Sequence, residues 1–492
     1  MQQGQIISGQ TDVRAAMAAL DTASVKICLV VDAQGRLCRT LSDGDVRRYL
    51  LSGFTLETKI ADLPDPCAPP VSLPQDASEA QVKALFTAHP VQEIVQLDMQ
   101  GCPVGLVLRS QIDATLLLSP PHMGAAEEVF VTQAFRQNWI APAGPNLDAF
   151  EADFARVAGR THALAVSSGT AALHLALRVL DVRAHDPIYV SDLTFAASVQ
   201  PVFYERAQPV LIDSEASSWN MSPDALARRL ASDAAAGTLP KAIIVVHIYG
   251  QSANMRAICD LADTYGIPVI EDATESLGAS YENLPSGAHG VMAAYSFNGN
   301  KMITTSGGGA LTSDRPDLIA RARNLSAQGR EPAEHYQHQQ IAYNYRMSNI
   351  LAGIGRGQLE VLSDRVAARR DVYERYVHGF ANVPGVSFQQ DVPCSKGCRW
   401  LTVISMDPDQ IGLHPYQFMR RLRDKGIETR PAWKPMHLQP LCAGVPFEPH
   451  APDNVVSASL FLSSLCLPSG SALAPDQQDR VIDEIKILVR EG

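Results

Sequence analysis

Short apolar runs alternate with helix-period stretches along the middle of the chain. Residues 163–166, 188–190, 210–212, 242–247, 269–271 and 293–297 form runs with the length and continuous apolar character of strands buried on both faces. Between them, residues 171–180, 223–231 and 253–265 read as helices. This order predicts an α/β fold, a mostly parallel sheet with helices on both faces, whose ligands sit beyond the carboxyl ends of the strands. Helical patterns also cover 125–135 and 348–369, the second a single long helix packing by its apolar stripe. After Val383-Pro384-Gly385 the pattern becomes that of a smaller α+β domain.

The first 118 residues follow another rhythm, and it repeats. GRLCRTLSDGDVRRYLL (35–51) lies in register with GCPVGLVLRSQIDATLL (101–117), so that Asp32 falls on Asp98, Val46 on Ile112 and Leu50-Leu51 on Leu116-Leu117. Each copy carries a strand (27–31; 93–97), a turn, a second strand and a helix start, after a helix-period segment (13–20; 79–88). Pro64, Pro66, Pro69, Pro70 and Pro74 make the link between copies, and Ser119-Pro120-Pro121 closes the module. The expected divisions are 1–60 and 61–118 for the two repeats, 119–370 for the large domain and 371–492 for the small one.

Composition narrows the class. The 492 residues are 46% hydrophobic and 19% charged, ordinary for a soluble globular protein. A net charge of −11 argues against non-specific nucleic-acid binding, which needs a basic footprint. The 9 cysteines are an odd number and scattered, a poor disulfide framework. Cys394 and Cys398 have no matching His or Cys pair nearby, so no metal site is expected. The N-terminus has no basic segment followed by a long apolar core, and no apolar run reaches membrane-spanning length. A cytoplasmic location with no membrane partner is the expectation.

Candidate chemistry concentrates between Val269 and Gly309. An apolar run ends in Glu271-Asp272, Ser296 and Lys301 follow the next strand in SFNGNK, and Gly307-Gly308-Gly309 comes after. A carboxylate, a hydroxyl and a lysine on neighbouring strand ends are what a pyridoxal phosphate site needs: an amine for the aldehyde, and an acid to keep the pyridine nitrogen protonated. Each alone has a plainer reading, Asp as a turn residue and Lys as a solvated surface group; in this order they outweigh it. Upstream, Ser167-Ser168-Gly169-Thr170 takes a strand into a helix through small residues, where helix N–H groups and dipole favour a phosphate, or where Ser/Thr simply caps the helix. Phe195 is a core residue by default.

EDATESLGA, YSFNGNK and TTSGGGAL together resemble the DegT/DnrJ/EryC1/StrS family of sugar aminotransferases, within it the enzymes that aminate C4 of a UDP-4-keto-6-deoxy-N-acetylhexosamine. The likeness covers roughly 118–492 and includes LSPPHMGAAEEVF, QGREPAEHYQHQQIAYNYRMSN and RPAWKPMH. It implies a fold type I aminotransferase using pyridoxal 5'-phosphate, with L-glutamate and a nucleotide sugar as substrates, in glycan or protein glycosylation. By the same likeness Gly169, Thr170 and Ser296 meet the cofactor phosphate, Phe195 stacks on its ring, Asp272 pairs with its nitrogen and Lys301 binds it covalently. Glu275 stands where the wider family usually has Gln reaching the ring hydroxyl, a departure shared with the C4 subgroup. Asn344 matches a residue reaching the phosphate of a neighbouring subunit, implying a homodimer or larger oligomer with shared sites. Trp139, Arg346 and His437 are candidate substrate contacts. Tyr343 to Met347 also reads as a polar loop before a helix, and the prolines around His437 as a structural loop. A C3 enzyme, or one taking GDP- or dTDP-sugars, stays open, since fold does not fix substrate.

The N-terminal repeats resemble a pair of CBS repeats, in which a Ser or Thr followed three residues later by Asp meets the ribose of an adenine nucleotide. Ser42 and Asp45 have that spacing; Leu108 and Gln111 at the aligned positions do not. The plainer reading of Ser42 and Asp45 is a helix cap. A nucleotide-sensing regulatory protein on an aminotransferase scaffold is the alternative class of function.

Overall fold

The computed structural model describes residues 5–23, 25–64, 69–109 and 115–491. The chain divides into two compact units, Met1–Thr115 and Leu116–Gly492.

In the first unit the repeat is visible strand for strand. Ile6–Ser8 runs parallel to Ile27–Val31, which pairs antiparallel with Leu37–Ser42. Ser72–Pro74, Glu93–Leu97 and Pro103–Leu108 reproduce the arrangement, and the register shifts between Val30 and Val31 and, equivalently, between Gln96 and Leu97. Helices Val13–Thr22 and Glu79–Ala88 precede the hairpins. Among the residues used to align the repeats, Gln111 and Ile112 lie outside the described residues, as does Pro66 of the link.

The second unit is built on an eight-stranded sheet in the order Phe447–Glu448, Gln208–Ile212, Pro187–Ser191, Ala242–Val246, Val269–Asp272, Met292–Ser296, Gly309–Ser313 and His162–Val166. Neighbours are parallel except at Gly309–Ser313, which runs against both of its partners. All six expected strands are present, with ends moved by a residue or two. Helix Gly169–Val179 lies against the sheet and is buried almost throughout. Two departures from the sequence reading have simple causes. The helix expected over 348–369 is two helices, Asn349–Glu360 and Leu362–Phe380, separated at Val361, where the backbone leaves helical angles. Strand Phe447–Glu448, in the segment assigned to the small domain, instead extends the large sheet beside Leu211 and Ile212; two residues are too short to carry a period-two signal.

The remaining C-terminal chain forms an antiparallel sheet, Val386–Phe388, Thr402–Met406, Ser464–Leu467 and Arg430–Pro431. It shares an apolar core with helices Leu362–Phe380, Pro415–Asp424 and Pro475–Glu491. Among the described residues no helix is long and apolar enough to cross a membrane.

Candidate active site

A cavity of about 230 Å³ opens beyond the carboxyl ends of the parallel strands. Four strand-end segments line it: Ser168–Thr170, Thr194–Ser198, Asp272–Glu275 and Ser296–Lys301, joined by Trp400 and Trp433. The first is the start of helix Gly169–Val179, where Ser168 accepts from the Ala171 N–H. The first turn of any helix carries N–H groups without partners inside it, and the dipole makes that end positive. Close packing fixes it here. A Cβ on Gly169 would stand 2.9 Å from Thr274 Cγ2, and one on Gly309 only 2.4 Å from the Ser168 carbonyl carbon, so both positions require glycine.

Asp272 ends its strand with 3% of its surface exposed. A chain of hydroxyls reaches it: Thr194 Oγ1 lies 2.6 Å from Ser198 Oγ, which donates to Asp272 Oδ2 at 2.6 Å. The Thr274 N–H donates to the other oxygen at 3.2 Å. Beside this chain Phe195 is 63% exposed and lines the cavity, so it is no core residue.

Lys301 and Glu275 form the titratable centre. Lys301 Nζ lies 3.8 Å from Glu275 Oε1 and 4.0 Å from the centre of the Trp400 ring. Burial pushes the Lys301 amine below its ordinary pKa, against the opposing charges of Glu275 and Asp272. Burial likewise pushes Glu275 up, against the Lys301 charge and the Tyr249 N–H bond. Each partner is thus moved toward its neutral form, which for the lysine is the basic, nucleophilic one. Glu275 Oε2 accepts from the Tyr249 N–H at 2.8 Å, and Oε1 from the Trp433 indole at 3.3 Å.

The structure brings Gly169, Thr170, Phe195, Asp272, Glu275, Ser296 and Lys301 to one cavity and leaves other candidates outside it. Asn344 is exposed, in a backbone bridge with Ala327. Arg346 pairs its backbone with Val166, and its guanidinium, pushed down by burial, faces Glu151 and Asp148. Trp139 is half exposed, its carbonyl accepting from Asn349. His437 binds the buried Asp192 through Nδ1 at 2.6 Å and stacks on Phe447 with ring centres 4.2 Å apart. In the first unit Ser42 and Asp45 form a capping box: Asp45 Oδ2 accepts from the Ser42 N–H at 2.8 Å and from its hydroxyl at 2.6 Å.

Sequence reasoning missed Ser198, Thr274, Trp400 and Trp433. Trp433 lies inside the RPAWKPMH motif, Thr274 inside EDATESLGA and Ser198 three residues after Phe195, so these three had a local signal. Trp400, remote in sequence from every motif, had none.

Residues 121–486 match the DegT/DnrJ/EryC1/StrS aminotransferase family. EpsN of Bacillus subtilis, named as a pyridoxal phosphate-dependent aminotransferase, is 50% identical over 368 residues, spanning 75% of this chain and 94% of the relative. GDP-perosamine synthase of Caulobacter vibrioides is 34% identical over 367 residues, 74% of this chain and 96% of its own. Among solved structures, a DegT DnrJ EryC1 StrS aminotransferase from Brucella abortus superposes with a TM-score of 0.68 at 27% identity, covering 73% of this chain and 94% of that one. A strand-end cavity with a largely buried lysine, and relatives matched over nearly their full length, lead to one assignment: from residue 121 to residue 486 this chain belongs to the DegT/DnrJ/EryC1/StrS aminotransferase family.

Proposed function

We propose that the chain is a pyridoxal phosphate-dependent aminotransferase that moves the amino group of L-glutamate to C4 of a UDP-4-keto-6-deoxy-N-acetylhexosamine, a step in making glycan sugars. The observation that carries this reading is the meeting of Lys301, Asp272, Phe195 and a helix start in one cavity. These groups fit the cofactor. The helix start, with Thr170 and Ser296, suits its phosphate, and the exposed face of Phe195 suits its ring. Asp272 suits the ring nitrogen, and the amine of Lys301 suits the aldehyde.

When bound, the cofactor supplies an electron sink that makes the Cα–H of an amino donor acidic. Lys301 Nζ, its proton affinity lowered by burial, would take that proton and deliver it to the cofactor, and would move a proton the opposite way, to the sugar carbon, on the acceptor side. Asp272, oriented by Ser198 and Thr194, places negative charge where a protonated ring nitrogen is favoured. Trp400, its ring 4.0 Å from the amine, shields it from water on that side. Asn344, exposed and outside this chain's own cavity, is read as serving the phosphate of a second subunit, which makes the enzyme a homodimer with shared sites.

A GDP-linked acceptor is the second reading, favoured by the likeness to GDP-perosamine synthase. The duplicated strand pattern of the first unit supports a CBS pair, with Ser42 and Asp45 toward an adenine nucleotide. The test is the visible spectrum of the cofactor-loaded protein, first with L-glutamate, then with UDP-, GDP- or dTDP-linked 4-keto-6-deoxy sugars. Bleaching by glutamate and recovery with the UDP-sugar alone is the expected result. Recovery with the GDP-sugar alone overturns the base assignment, and no bleaching overturns the donor. Lys301→Ala is expected to show neither change.

A further inference from the structure

Lys301 lies in an irregular turn rather than on a strand or helix, closed by its own N–H bond to the Asn298 carbonyl. Nothing in regular structure fixes such a turn, so its orientation depends on what grips it from outside. Three donors do. The Asn300 carbonyl accepts from Ser119 Oγ at 2.6 Å and from the Trp400 indole at 2.7 Å. The Lys301 carbonyl accepts from Arg369 Nη2 at 3.4 Å.

Arg369 joins these contacts into one device. From helix Leu362–Phe380 its Nη2 also donates to Ser119 Oγ at 2.9 Å. Its Nη1 donates to the Trp400 carbonyl at 2.5 Å and the Ser469 carbonyl at 3.1 Å. A guanidinium cannot accept, so Ser119 must accept from Arg369 and give its only proton to Asn300; the polarity of the whole chain is set by Arg369. Trp400 is thereby held at both its indole and its carbonyl, with its ring 4.0 Å from Lys301 Nζ.

Arg369 is only 2% exposed, and none of its hydrogen-bond acceptors is a carboxylate. Burying a guanidinium against neutral oxygens is costly, and a neutral side chain would pack there more cheaply. The charge therefore points to a purpose beyond packing. We propose that Arg369 is a positioning residue for the Asn300–Lys301 turn, clamping it to Trp400 and Ser119 so that the Lys301 amine is presented to the cavity in one orientation. This rests on the reading of Lys301 as the cofactor-binding amine. The charges facing Lys301 are Glu275 and Asp272, which favour its protonated form, and Arg369, which works with burial against it.

The test uses the full chain freed of cofactor, with two readouts: the rate at which added pyridoxal phosphate becomes a protein-bound visible chromophore, and the pH midpoint of Lys301 acetylation by acetic anhydride, followed by peptide mass spectrometry. Arg369→Met is expected to slow capture about tenfold, as a misplaced reacting group does, and to raise the acetylation midpoint, because a neighbouring positive charge is gone. Arg369→Lys is expected to keep the midpoint near that of the wild type while recovering only part of the rate, since one ammonium cannot span the same acceptors. A folded Arg369→Met protein with wild-type rate and midpoint would overturn the proposal by reducing Arg369 to packing. If that variant does not fold, Arg369→Lys decides alone: slowed capture supports the clamp and an unchanged rate overturns it. Failure of the wild type itself to capture the cofactor would overturn the reading of Lys301, and the clamp with it.

Discussion

The indole N–H of Trp433 donates to Glu275 Oε1 across 3.3 Å, and the same oxygen faces Lys301 Nζ at 3.8 Å. The Trp433 backbone N–H donates to the Tyr249 hydroxyl at 2.8 Å, while the Tyr249 N–H donates to the other Glu275 oxygen. One aromatic residue of the C-terminal segment is thus tied twice to the acid that faces the lysine.

Trp433→Phe keeps an aromatic ring, smaller than the indole, and deletes the donor. Glu275 is fully buried and already raised in pKa by burial, so losing an N–H partner falls directly on its charged form. A hydrogen bond to a charged group contributes about 1.5–3 kcal/mol, and kcat/KM is expected to fall about tenfold or more. Steady-state kinetics check this, and wild-type values in the variant would show the contact to be idle.

Phe195→Leu removes an aromatic face that the apoprotein leaves 63% exposed. Stacked rings gain about 0.5–1.5 kcal/mol beyond area, so affinity for pyridoxal phosphate should drop roughly three- to tenfold. The apoprotein's own melting temperature should barely move, because little packing is lost. Spectrophotometric titration and thermal melts of the same sample separate the two effects.

Behind the cavity, Glu271 points away from Asp272, as successive strand residues do. Its carboxylate accepts from His247 Nε2 at 2.9 Å and from the N–H groups of Gly287, His289 and Gly290. Burial alone would raise its pKa, but these donors outweigh burial and bring it down to about 2. The folded value lies below the unfolded one, so the stabilisation is complete above the ordinary glutamate pKa of about 4.3 and is lost as pH falls through about 2. Glu271→Gln should therefore destabilise the protein at pH 7 by on the order of 3 kcal/mol. The difference from wild type should shrink through that acid window. Urea midpoints measured across it would contradict this if the two proteins differed equally at every pH.

Much of this arrangement could be read in the chain. Continuous apolar runs marked the parallel strands, and the residues directly after them line the cavity, because a period-two element buried on both faces leaves only its ends for chemistry. Asn344 and His437 were legible as motif residues, but motif membership does not say which cavity a side chain enters: His437 turns to Asp192, and Asn344 faces outward. Trp400 and Arg369 were invisible. They act on Lys301 across 99 and 68 residues of chain, and such contacts leave no periodic trace in the sequence.

Ser42 illustrates the opposite case, a residue whose local reading is complete in itself. Its hydroxyl gives its proton to Asp45 Oδ2 and accepts from the Asp45 N–H at 3.3 Å, while Arg48 pairs with the same carboxylate. The carboxylate accepts two bonds on Oδ2 and one on Oδ1, so a ligand donor can join these partners on Oδ1. Ser42→Ala removes the cap and should cost the first unit about 1 kcal/mol, with Ser42→Asn restoring most of it. If an adenine nucleotide also uses this pair, it raises the unfolding midpoint of the wild type by mass action and leaves Asp45→Asn where it was. Limited proteolysis across a denaturant series, scored for cleavage within residues 1–115, reads both effects on the intact chain. A Ser42→Ala protein cleaved at the wild-type midpoint would remove the cap from the account of this helix. A nucleotide that protects Asp45→Asn as well as the wild type would place its site elsewhere in the unit.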